Sequence, residues 1–152
     1  MSDYFRFEAD FIESLRCIPM AVRCKLDMCG IKLKLAEWSR FNEHERNQLS
    51  TMSCLLPEEI REYRCYLQGL VQYYTESLPD ELAVDANPAW LDASRVPEHL
   101  QEKAMAMNVQ ISLEQWQQLN SLQRFALIKL SKPSHESKNF PHALREFGLM
   151  PA

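Results

Sequence analysis

A mainly α fold is the expectation for these 152 residues, and three observations predict it. Residues 19 to 49 recur as residues 97 to 127 at a constant offset of 78, with identity at Pro19/Pro97, Lys25/Lys103, Leu35/Leu113, Trp38/Trp116, Asn42/Asn120, Arg46/Arg124 and Leu49/Leu127. Average residue frequencies give about two coincidences over such a span, and the matches fall on helix punctuation. A second stretch, 57 to 77, carries the apolar spacing of one long amphipathic helix. Only three glycines occur in the chain, too few for a loop-rich protein. The architecture implied is a single-domain multi-helix bundle over residues 1–152, built from two related helical halves, 19–49 and 97–127. A connector over 79–96 joins them, and there is room for two very short strands.

From the start, Tyr4 to Phe11 alternates apolar and polar residues, which reads as an edge strand or an extended arm. Pro19 and Pro97 suit the first turn of a helix, and Val22, Leu26 and Cys29 then recur at helical spacing, as do Leu100, Ala104 and Met107. Gly30 and Asn108 follow at the same repeat position, and both residue types accept the left-handed conformation that stops a helix. Residues 31–35 and 109–113 alternate strictly, so each is either a short strand, a pair of which could meet across a pseudo-twofold axis, or a buried connector. Ser112 with Gln115 makes a capping box that favours the connector in the second copy, whereas the first copy has Lys34 at that position.

Trp38 and Trp116 belong to the core. Asn42 with Glu45 and Asn120 with Gln123 are matched capping boxes, each opening a further helix. Arg46 and Arg124 sit in the first turns of those helices, where the macrodipole gives a cation nothing, so a carboxylate or helix-end carbonyls in the other half are the expected partners. In the 57–77 helix, Ile60, Tyr63, Leu67, Leu70, Val71 and Tyr74 form the apolar stripe and Pro79 ends it. Asp80 to Pro88 reads as an acidic, turn-rich connector anchored by Trp90 and Leu91. A polar loop over 131–139 precedes a last short helix from Pro141 to Phe147, which closes on Gly148.

Composition narrows function. A net charge of -4 and a pI near 5.6 argue against nucleic acid, and residues 41–100 hold eleven acids against four bases. No apolar run approaches the ~20 residues of a membrane span, and the start lacks a secretory signal, so a soluble, cytoplasmic protein is expected. Five cysteines at irregular spacing and four scattered histidines match no metal motif, so buried reduced thiols and no cofactor are expected. No P-loop, dinucleotide fingerprint, nucleophile elbow or working carboxylate pair occurs, which disfavours an enzyme. The partner-binding candidates are the arm aromatics Phe5 and Phe7, the basic residues Arg16, Arg23 and Lys25, and His135 in the polar loop. The alternative is a small-molecule or metal-binding domain assembled from dispersed groups such as Cys17, Cys24, Cys29 and His135, and homo-oligomerisation stays open.

The run from Phe7 to Met20, continuing through Lys25-Leu26-Asp27 and Gly30 to Leu33, resembles the bacterial nitrate reductase-associated protein family. So do Gln123 to Ser131, Asn139-Phe140 and Ala143 to Leu149. The resemblance spans nearly the whole chain and implies a non-catalytic accessory or maturation factor of assimilatory nitrate reductase, with that enzyme as partner. It supplies no catalytic or ligand residues.

Overall fold

The computed structural model describes residues 4–134 and 136–151 and is mainly α, with one small two-stranded sheet among the described residues. The chain divides into two compact units, Met1–Ala86 and Asn87–Ala152, so residues 19–49 fall in the first and 97–127 in the second.

In the first unit a 3-10 turn, Arg6–Glu8, runs into α1 (Ala9–Glu13). The alternating N-terminal stretch is therefore helical rather than a strand or an extended arm. Glu8 decides this, because its buried carboxylate accepts the Phe5 N–H at 3.2 Å and folds the stretch into a turn. Leu15, in the left-handed region at φ 57, closes α1 with its neighbour Arg16 donating back to the Phe11 carbonyl at 2.8 Å. Then follow α2 (Met20–Cys29), β1 (Ile31–Lys32), α3 (Leu35–Arg40), α4 (Glu43–Thr51), α5 (Pro57–Thr75) and β2 (Asp80–Glu81). Helix α5 buries Tyr63, Leu67 and Val71, one residue per turn, against Val22, Leu26, Trp38, Phe41 and Leu49. It ends at Glu76, left-handed at φ 62, before Pro79 is reached.

Gly30 stops α2 at φ 76. Strand β1 pairs antiparallel with β2, Ile31 opposite Glu81 and Lys32 opposite Asp80, so the partner of the alternating segment is the connector and not residues 109–113. Arg64 of α5 fixes this junction by donating to the Cys29 carbonyl at 2.6 Å, the Gly30 carbonyl at 3.2 Å and Glu81 at 3.1 Å. The chain also passes close over Gly30, where an added Cβ would lie 2.9 Å from Val84 Cγ2 and 3.0 Å from the Leu82 carbonyl oxygen. Gly30→Ala is expected to cost about 2–3 kcal/mol, from about 1–2 kcal/mol of left-handed strain plus this clash. Gly148→Ala, at the same φ of 76 but with nothing within 4 Å of the new Cβ, should cost only the strain. Urea titration of both variants separates the two contributions.

The second unit holds a 3-10 turn (Ala89–Leu91), α6 (Glu98–Met105), α7 (Leu113–Gln118), α8 (Ser121–Ser131), another 3-10 turn (Ser137–Asn139) and α9 (Phe140–Glu146). Helix α8 is central, burying Arg124, Phe125, Ala126, Leu127 and Leu130 against the Trp90 turn, α6 and α9. Trp90 meets Phe125 edge-on at 5.6 Å, while Leu91, expected as a second anchor, is 48% exposed. Residues 109–112 form no strand. The Gln101 carboxamide takes the place of a neighbouring strand, donating to the Ile111 carbonyl at 2.7 Å and accepting its N–H at 2.8 Å. Asn108 takes φ 62, three residues beyond the end of α6.

Asn42 and Asn120 each accept the N–H of their third helical residue at 2.8 Å, and Glu45 and Gln123 each return the bond at 2.9 Å. Ser112 and Gln115 cap α7 in the same way, whereas at Lys34 only Glu37 reaches back, at 2.8 Å. Arg46 and Arg124 do bind carbonyls, but within their own units: Arg46 donates to Phe41, and Arg124 to Leu119, Trp116 and Trp90.

Candidate functional site

The N-terminal turn is held against α2 by one buried carboxylate. Pro19, as the N-cap, offers no side-chain acceptor to the first N–H groups of α2. Glu8, 3% exposed, supplies it by accepting the Met20 N–H at 3.1 Å, where the helix dipole also favours a negative charge. The same turn stacks Phe5 on Phe7 at 5.4 Å and 13°, both half-buried. Two of the expected partner-binding residues are thus brought together.

The basic candidates are not. Exposed Arg16 donates to Ser14 Oγ at 2.8 Å and lies 5.1 Å from the Phe11 ring centre. Arg23 and Lys25 are both half-buried on α2 but two residues apart, a spacing at which helical side chains do not share a face. Lys25 donates to the Ser50 carbonyl at 2.7 Å and lies 5.8 Å from the Tyr63 ring centre, so its ammonium ties the end of α4 to the core of the unit. His135 lies outside the described residues.

Burial pushes the Tyr63 phenol well above its ordinary range, and its hydroxyl donates to the Leu49 carbonyl at 2.8 Å. Burial pushes the Cys29 thiol up to about 11. It pushes Cys54 up to about 12, with the neighbouring Cys29 adding to the effect. Unfolded thiols ionise near 9.0, so above that pH the unfolded chain binds fewer protons than the folded one. The contribution to stability is therefore whole below pH 9.0 and declines as the pH rises toward about 12, which an alkaline unfolding titration should register. At neutral pH an alkylating reagent should modify exposed Cys65 at least about 100-fold faster than Cys29 or Cys54, whose thiolate fractions are depressed and whose sulfurs are covered. Among the described residues, no group of three or more His, Cys, Asp and Glu side chains could hold a metal ion.

Described residues of the second unit line surface clefts, of which two carry charged side chains. One, of about 490 Å³, is lined by Asp92, Arg95, Glu98 and His99, with the Asp92 carboxyl held below its usual range by the Ser94 hydroxyl and N–H. The His99 ring is fixed through Nε2, 2.9 Å from the Ser131 carbonyl oxygen. The other, of about 390 Å³, lies between α6 and the start of α9, with Lys103, Ser137 and Lys138 around Met107, Phe140 and Pro141. Lys103 occupies the repeat position of Lys25, but its side chain lines a cleft instead of crossing a core. Sequence reading also missed Leu55 and Leu56, 73% and 57% exposed. The one available signal was their place directly before Pro57, outside any apolar periodicity.

No described helix is long and apolar enough to cross a membrane. Comparison with curated proteins finds no match, and comparison with solved structures finds none. A family model described as conserved nitrate reductase-associated protein matches residues 4–147, nearly the whole chain, and the chain belongs to that family.

Proposed function

We propose that this chain is a non-catalytic accessory or maturation factor of assimilatory nitrate reductase that acts by binding protein. Family membership over residues 4–147 is the observation that carries this reading. The engagement of the polar groups supports it. Glu8, Lys25, Arg64 and Arg124 are bonded to backbone inside their own units, and the Cys29 and Cys54 thiols stay protonated at neutral pH. Of the residues expected to bind a partner, the half-buried Phe5–Phe7 pair and exposed Arg16 are the part this reading keeps, since Lys25 is committed to its own unit. Copurification of the tagged protein with nitrate reductase tests it. Recovery of the reductase is expected; no recovered complex, with normal reductase activity in a deletion strain, refutes the reading.

A second reading, small-molecule binding, is favoured by the 390 Å³ cleft with Lys103 and Lys138 around an apolar floor, a combination suited to an organic anion. Thermal-shift titration with benzoate and citrate tests it, and no shift with either removes it.

A further inference from the structure

We propose that Leu55 and Leu56 form a preorganised apolar anchor that inserts into a pocket of a protein partner, a pocket with apolar walls and a lysine- or arginine-bearing rim. The proposal rests on the accessory reading above and names the surface through which it operates.

Leu56 is the N-cap of α5 and Leu55 precedes it. An apolar residue at the position of Leu55 ordinarily packs on the fourth helical residue, here Ile60, and is buried by doing so. Leu55 is instead 73% exposed and Leu56 57%, while the preceding Cys54 is only 3% exposed. The segment is thus pinned in the core on one side and continuous with a helix of 19 residues on the other, with both leucines held outward between them.

The backbone of the segment is also held by hydrogen bonds. Glu59 Oε1 accepts the N–H of Leu55 at 3.2 Å and that of Leu56 at 2.9 Å, and Pro57 fixes the next φ. Ordering entropy is met on folding and is not charged again on binding, which is the property of an efficient contact residue. The pair therefore has a structural explanation for its backbone and none for its exposed side chains.

Charge selects the occupant. Exposed Glu58 and Glu62 follow the leucines on the first two turns of α5, where exposed Arg61 is the base in the same turns and Lys25, beside Cys54, is bonded to the Ser50 carbonyl; the first unit as a whole holds fifteen acids against ten bases. An anionic bilayer is repelled by such a rim, and a second copy would bring the same acids into contact. A basic-rimmed pocket is complementary to it.

The test compares wild type, Leu55→Ser/Leu56→Ser and Glu58→Lys/Glu62→Lys for binding to purified nitrate reductase, with circular dichroism and thermal melts confirming that each variant is folded. The leucine variant should lose at least about thirtyfold in affinity. The charge variant should bind more weakly and lose the salt dependence that wild type has between about 50 and 500 mM NaCl. Binding of the leucine variant within about threefold of wild type overturns the anchor and leaves the accessory reading intact. Absence of wild-type binding overturns both. Leucine-dependent binding to vesicles containing phosphatidylglycerol, or a leucine-dependent dimer in sedimentation, assigns the surface to another occupant and overturns the proposal.

Discussion

Arg124→Ala is expected to destabilise the protein by about 3–5 kcal/mol. The guanidinium is 9% exposed and serves three carbonyls at once: Trp90 through Nε at 2.9 Å, and Trp116 and Leu119 through Nη1 at 3.2 and 2.5 Å. It also lies 5.8 Å from the Trp116 ring centre. All three accepting residues are buried, and although the Trp116 carbonyl keeps the Leu119 N–H, removing the donor takes a bond from the Trp90 and Leu119 carbonyls while opening a void beside the indole. A net stability of about 5–15 kcal/mol is usual, so about a fifth or more of it is at stake. A fall in melting temperature of about 6–20 °C is expected for a chain of this length. Arg124→Lys should recover little, because one ammonium cannot reproduce a planar fork that spans three acceptors. Thermal melts of both variants test this, and a cost below about 1 kcal/mol for alanine would show that the network adds nothing to stability.

Trp116→Ala should cost a similar amount, about 3–5 kcal/mol, because the indole is fully buried and its Nε1 donates to the Asp92 carbonyl at 3.0 Å. The phenylalanine variants discriminate better. Trp38, at the same repeat position, is equally buried, but its Nε1 has no hydrogen-bond partner among the described residues. Trp38→Phe removes an unsatisfied donor, whereas Trp116→Phe breaks the bond to the Asp92 carbonyl. The second should therefore cost about 1–2 kcal/mol more than the first. Equal costs, measured by urea titration, would mean that the polar contact at Trp116 is worth no more than packing.

Both predictions come from positions that the sequence marks and local rules explain. Asn42 and Asn120 cap with the expected geometry, Gly30 and Asn108 take positive φ, and α5 follows its apolar stripe, because each depends on residues within a turn or two. We read residues 19–49 and 97–127 as copies of one element on these shared features. Superposition of the two segments in an experimental structure to within about 2 Å would support this, and unrelated backbones would refute it.

What sequence reading missed depends on partners distant in the chain. The N-terminal turn forms because Glu8 reaches Met20, twelve positions on. The alternating segments behave differently because Ile31 finds Glu81, while Ile111 is satisfied by the Gln101 side chain. Arg46 and Arg124 bind carbonyls of their own units, since an arginine in the first turn reaches back to the chain that has just entered the helix. The candidate site was the least legible part. Lys25 is a cation whose role is to tie elements together, and the exposure of Leu55 and Leu56 follows from where Cys54 and Glu59 hold the backbone. Neither leaves a trace in periodicity. Only the long strings shared with the family pointed toward nitrate reductase, and they did so without naming a residue.

The affinity of the purified chain for assimilatory nitrate reductase, measured by sedimentation velocity or calorimetry, bears most directly on the proposed role. A saturable complex with a Kd of about 10 µM or tighter is expected, weakened in the Leu55→Ser/Leu56→Ser variant. No complex at about 100 µM of each protein, with undiminished reductase activity in cells lacking this chain, would contradict it.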